Sequence, residues 1–194
     1  MTGLAGWVGG EADRSSSDAV NGMLAAGHAH EGSGRATETL PRAGIGLQGW
    51  PSDLSVHRSD DILAAVYGQP QWRDEGYRRR AAAHGSAAVL VDAWRERGTD
   101  LFDVFGGPAS LAIVDARKRE ALIAIDRIGI QQMSFALSPD GALVFASDAR
   151  AVCRHPAIDA RISRQALFNY LYFYISPGPP TIFEGVEKLQ PGQF

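Results

Sequence analysis

Between residues 109 and 147 the chain alternates apolar runs with tight polar punctuation, and no other stretch so narrows the folds open to it. Residues 109–114, 121–125, 133–137 and 142–146 are four short runs rich in Ala, Val, Ile, Leu and Phe. Residues 116–120 turn in water between the first two. Ser138-Pro139-Asp140-Gly141 turns before the last: Pro presets φ, Asp bonds its own backbone and Gly accepts positive φ. Four such runs predict an antiparallel meander with a deeply buried face.

Strand and helix patterns elsewhere supply the rest of a core. Residues 4–8, 43–47 and 63–67 read as strands, and Leu54-Ser55-Val56 as a short one. Ser15, Ser16 and Ser17 offer N-cap hydroxyls to a helix whose Val20, Met23, Leu24 and His28 share a face. Residues 32–42, polar and rich in Gly and Pro, read as a loop. The arginines Arg78, Arg79 and Arg80 read as a solvated helix start. Ser86 is expected to cap a helix lined by Val89, Leu90, Ala93 and Trp94 and ended by Gly98. Residues 148–154 read as a short helix stopped before Pro156. Ser163 caps another, with Leu167, Tyr170, Leu171 and Tyr174 at helical spacing. Its aromatic cluster of Tyr170, Tyr172, Phe173 and Tyr174 is expected to lie mostly in the core, its outer face turned to a following domain. Strands and helices in this arrangement predict an α+β fold of layered sheets and helices.

Composition excludes several function classes. With 194 residues, 45% hydrophobic and 21% charged, the chain can bury a real core as one domain over 1–194. A net charge of −3 gives no electrostatic support for nucleic-acid or anionic-membrane binding. No run reaches the roughly 18 apolar residues of a membrane span. Cys153 is the single cysteine, so no internal disulfide is possible and a cytoplasmic setting is expected. It is expected to be a buried inert thiol. His28, His30 and Glu31 make too weak a cluster for a metal site, and no metal is expected.

Longer strings carry a resemblance. Ala112 to Asp115, then Ala124-Ile125-Asp126-Arg127-Ile128-Gly129-Ile130, then Phe145-Ala146-Ser147-Asp148-Ala149-Arg150 and His155-Pro156 follow one another in order. Tyr174-Ile175-Ser176-Pro177-Gly178-Pro179-Pro180-Thr181-Ile182-Phe183 leads to Gly185-Val186-Glu187-Lys188-Leu189-Gln190-Pro191-Gly192. Together with the opening Gly3-Leu4-Ala5-Gly6-Trp7, these strings resemble the N-terminal class II glutamine amidotransferase domain of the asparagine synthase family. The resemblance implies an N-terminal-nucleophile (Ntn) hydrolase fold, a four-layer αββα sandwich of two antiparallel sheets between helices. It also implies glutamine hydrolysis in active members, with ammonia passed to a C-terminal synthetase domain that uses ATP and Mg. Residues 176–194 read as the start of the linker toward that domain. No SGGxDS string of such a domain occurs here, so the chain is either a piece of a longer protein or a stand-alone domain. The present domain is expected to need no cofactor. In the family Asp126 and Arg127 are structural, read here as a pair orienting a turn.

The resemblance also places the chemistry, residue by residue. Thr2 stands at the family's nucleophilic Cys, where removal of Met1 frees an α-amine as base. Ala29 stands at an Arg in a family HRGPD string. Gln48-Gly49-Trp50-Pro51 replaces a string whose Arg holds the substrate carboxylate, so Trp50 marks an altered position. Tyr67-Gly68 replaces an oxyanion-hole Asn-Gly pair, which keeps the Gly68 N–H and loses a side-chain donor worth roughly 2.7–4 kcal/mol in the transition state. Ser86 stands at an Asp that holds the substrate ammonium. These changes predict a degenerate glutaminase domain serving as a docking or dimerising platform for a synthetase domain. The alternative is an active Ntn amidohydrolase using Thr2 on glutamine or another amide.

Overall fold

The computed structural model of the chain describes residues 3–10, 15–27 and 31–194. Twelve strands and five α-helices alternate among these residues. They run β1 (Gly3–Val8), α1 (Ser16–Leu24), β2 (Gly34–Leu40), β3 (Ala43–Gly49), β4 (Ser55–Ser59), β5 (Ile62–Gly68), β6 (Gln71–Trp72), α2 (Glu75–His84) and α3 (Ser86–Arg97). They continue with β7 (Phe105–Gly106), β8 (Ala109–Asp115), β9 (Glu120–Ala124), β10 (Ser134–Leu137), β11 (Leu143–Ala146), α4 (Ala149–Val152), α5 (Arg164–Phe173) and β12 (Glu187–Lys188). A six-stranded sheet has the order β12-β10-β11-β1-β3-β2, and a four-stranded sheet the order β4-β5-β8-β9. Every pairing is antiparallel.

Alternation along the strands builds three apolar layers, because successive side chains point to opposite faces. Leu4, Val8, Ile45 and Leu47 of the large sheet meet Leu63, Ala65, Ala112 and Val114 of the small one. The other face of the large sheet, with Ala5, Trp7 and Val144, packs on Val20 and Met23 of α1 and Val152 of α4. The outer face of the small sheet, with Val66, Leu111 and Ile113, packs on Tyr77 of α2 and Val89 and Leu90 of α3. Helix, sheet, sheet, helix is the αββα sandwich. Close approach of α1 to β3 depends on glycine: a Cβ on Gly44 would sit 2.6 Å from a Val20 methyl.

Four expectations are corrected. The four apolar runs do not form one meander: β8 and β9 lie in the small sheet, β10 and β11 in the large one. Asp126 is the reason, since its carboxylate gathers the N–H groups of Ile128, Ile130 and Gln131 at 3.2, 3.0 and 2.8 Å and turns the chain out of the sheet. Arg127 takes no part in this, so the turn is organised by a carboxylate and backbone rather than by an Asp–Arg pair. Residues 34–40, read as loop, are β2, paired with β3 along its whole length. The predicted core role of the α5 aromatics also fails. Only Ala166 of α5 is buried, while Phe168, Leu171 and Tyr172 are 62%, 66% and 68% exposed.

Candidate functional site

The resemblance places the candidate nucleophile, Thr2, next to the start of β1. Thr2 lies outside the described residues, as do His28, Ala29 and His30. Its neighbour Gly3 stands opposite Gln48 of β3. Ser147 pins this end of β1 twice: its Oγ accepts from the Leu4 N–H at 2.9 Å, and its own N–H donates to the Leu4 carbonyl at 2.8 Å. A Cβ on Gly3 would come within 2.9 Å of the Ser147 side chain, so the approach needs glycine.

Gln48 is the buried polar group of this corner, only 2% exposed. Its Oε1 accepts from Arg35 Nε of β2 at 2.6 Å, and its Nε2 has no hydrogen-bond partner among the described residues. Among the described residues, Gly3, Gln48, Ser147 and Asp148 line a small cavity of about 50 Å³ together with Met23, Leu24 and Gly27. Asp148 caps α4 by accepting from the Arg150 N–H at 2.9 Å and is gripped by the Arg150 guanidinium, Nη2 at 2.6 Å. Burial pushes its carboxyl up, but the Arg150 side chain and backbone N–H outweigh that and hold it below the usual range. Arg35, Ser147 and Asp148 were not expected as site residues, and Gln48 entered only as part of the string that lacks the family Arg; its local signal was a glutamine closing the otherwise apolar AGIGLQG run.

The other expected positions fall in three places. Tyr67 and Gly68 end β5, and Tyr67 packs against the same inner layer as Leu4. Gly68 has φ +102°, and a Cβ there would lie 2.4 Å from the Pro108 carbonyl oxygen, so only glycine fits. Trp50 is half exposed and precedes the turn at Pro51–Asp53, where its carbonyl accepts from the Asp53 N–H. Ser86 sits in the outer layer and accepts from the Trp72 indole at 3.3 Å. It opens α3 but does not cap it: Ser55 Oγ, reaching over from β4, accepts from the Ala87 N–H at 2.8 Å. Among the described residues, no three His, Cys, Asp or Glu side chains gather as a metal site.

Two antiparallel sheets stacked between helices, with the chain's first described residues pinned in the central strand, define the Ntn class of amidotransferase fold. The chain belongs to the glutamine amidotransferase domain family, whose pattern it matches over residues 65–194. It is 24% identical over 155 residues to asparagine synthetase [glutamine-hydrolyzing] 3 of Bacillus subtilis strain 168, covering 76% of this chain and 25% of that protein. It is 26% identical over 135 residues to a putative glutamine-hydrolyzing asparagine synthetase of Mycobacterium tuberculosis H37Rv, covering 66% of this chain and 21% of that one. The chain thus spans about a quarter of the length of these relatives. Among solved structures it resembles the glutamine phosphoribosylpyrophosphate amidotransferase of B. subtilis, with TM-score 0.55 at 15% identity over 77% of this chain and 42% of that one. A second likeness is to the allosteric regulatory enzyme of purine biosynthesis, with TM-score 0.57, 15% identity and coverage of 80% and 43%. These two likenesses speak for the fold alone. No helix of the described residues is long and apolar enough to cross a membrane.

Proposed function

We propose that this chain is the glutamine amidotransferase-like domain of an asparagine-synthetase-type protein, that it does not hydrolyse glutamine, and that it docks an ATP-dependent amide-forming domain. The docking role is carried by α5. Ten residues of helix bury one alanine and leave Leu167, Phe168, Leu171, Tyr172 and Phe173 exposed. A monomer rarely exposes a contiguous apolar patch above a few hundred Å² without a partner. The relatives are about four times as long as the matched segment, which supports a further domain as that partner. ATP and Mg chemistry belong to that domain, and residues 176–194 lead toward it.

Loss of glutaminase activity is supported by the altered family positions. Gln48 fills the end of β3, in the string that lacks the family Arg, and it occupies Arg35 Nε. A hydroxyl at Thr2 is also a poorer nucleophile than a thiolate, and Tyr67 supplies no amide donor beside the Gly68 N–H. The test is ammonia release from L-glutamine by the purified chain: no turnover above buffer is expected, and clear saturable turnover ends this reading. The rival reading, Thr2 as nucleophile on another amide, requires a free Thr2 amine. Intact-mass measurement showing Met1 retained excludes it.

A further inference from the structure

A second and larger cavity lies on the outer face of the small sheet, away from the corner beside Gly3. It holds about 480 Å³, within the range of small-molecule sites. Its floor is apolar and almost fully covered by protein: Phe105, Ala109, Leu111 and Ala124 are each 6% exposed or less. Its wall includes the Phe102 and Phe194 rings, packed at 4.9 Å. Two guanidiniums stand at its edge. Arg73 donates one N–H to the Asp103 carbonyl and makes no ion pair among the described residues, and its Nη2 lies over Gly106. Arg127 has neither a hydrogen bond nor an ion pair among the described residues. Among the described residues, Asp126 is the one acidic side chain lining the cavity, and its carboxylate accepts from three backbone N–H groups.

The flanks add a further sign. Ile128 and Ile130, in the loop that Asp126 shapes, are 75% and 58% exposed beside these cations. Greasy floor, exposed isoleucines and two guanidiniums that make no ion pair among the described residues call for a ligand with an apolar body and an anionic end. We propose that this cavity binds an amphipathic anion, an acyl or aryl body resting on Leu111 and Ala124 and an anionic head between Arg73 and Arg127. A carboxylate and a phosphate monoester share that head chemistry. The site does not depend on the reading of the Gly3 corner.

Titration of the 194-residue chain with decanoate, decyl phosphate and decan-1-ol, followed by amide NMR shifts, tests the proposal. Saturable shifts at Gly106, Gly107, Ile125 and Gln193 are expected for the anions below about 1 mM. Whichever anion binds more tightly identifies the head. Replacing both guanidiniums (Arg73→Gln with Arg127→Gln) should weaken the anions about tenfold or more and leave decan-1-ol unchanged. Both positions are exposed, so the melting temperature should hold and confirm an intact fold. Absence of saturation, shifts centred on α5, or decan-1-ol binding as tightly as decanoate would each overturn it.

Discussion

Asp126 shows how much one carboxylate can decide. It turns the chain from one sheet to the other by collecting three N–H groups that the loop would otherwise leave unpaired. Burial raises its pKa, but those backbone donors outweigh burial and hold it below the ordinary value. A depressed folded pKa makes this contribution fully present above the unfolded value of about 3.9 and lost as pH falls through the folded one. Asp126→Asn is therefore expected to cost about 1–3 kcal/mol at neutral pH and to flatten the acid limb of stability, read from urea midpoints across that range. Cys153 moves the other way. Burial, and then the Asp148 charge, push its thiol up to about 11. Alkylation near pH 8 should run about a hundredfold slower than for a free thiol, since only the thiolate reacts. Ser86 and Ser55 divide a role that the sequence assigned to one of them. A hydroxyl before an apolar helical pattern reads as a cap, whereas a cap arriving from a strand 32 residues away leaves no local signal. Ser55→Ala is expected to cost about 1 kcal/mol in chemical denaturation.

Elements were legible where their apolar period was strong. The runs that became β1, β3, β5, β8 and β11, and the stripes of α1 and α3, were visible because each buries a face. What hid was the partner choice. Nothing local tells β10 to leave β9, because the instruction lies in a polar loop between two apolar runs. Likewise the spacing of Leu167, Tyr170 and Leu171 announces a helix but not whether anything covers it. Here nothing within the described residues does. Phe168→Glu and Leu171→Glu should therefore change the chain's own stability by no more than about ±0.5 kcal/mol in thermal melts, while abolishing association with an amide-forming domain. The α1–β3 contact is the opposite case. Gly44→Ala drives a methyl to 2.6 Å from Val20 and should cost about 1–3 kcal/mol, seen as a lower urea midpoint.

On the scale of the whole molecule, the two sheets are tied together by the final segment. The Leu189 N–H donates to the Met133 carbonyl in the large sheet's border, and the Gly192 N–H and Gln193 carbonyl bond Asp126 and Ile125 beside the small one. The small corner by Gly3 and the larger cavity behind β8 thus share a frame but not a wall. The sequence carried the frame through its long strings. The corner stayed hidden because Arg35 and Gln48 meet only through the β2–β3 register and Ser147, just past β11, reaches them only through the sheet order. The polar composition that disguised β2 as loop has its own consequence. This strand is one border of the large sheet, and the other border is β12, with Glu187 and Lys188. A strand of another molecule joining either border would have to desolvate Arg35 and Glu38, or Glu187 and Lys188, so these ions keep the open edges from recruiting further sheets into a fibre.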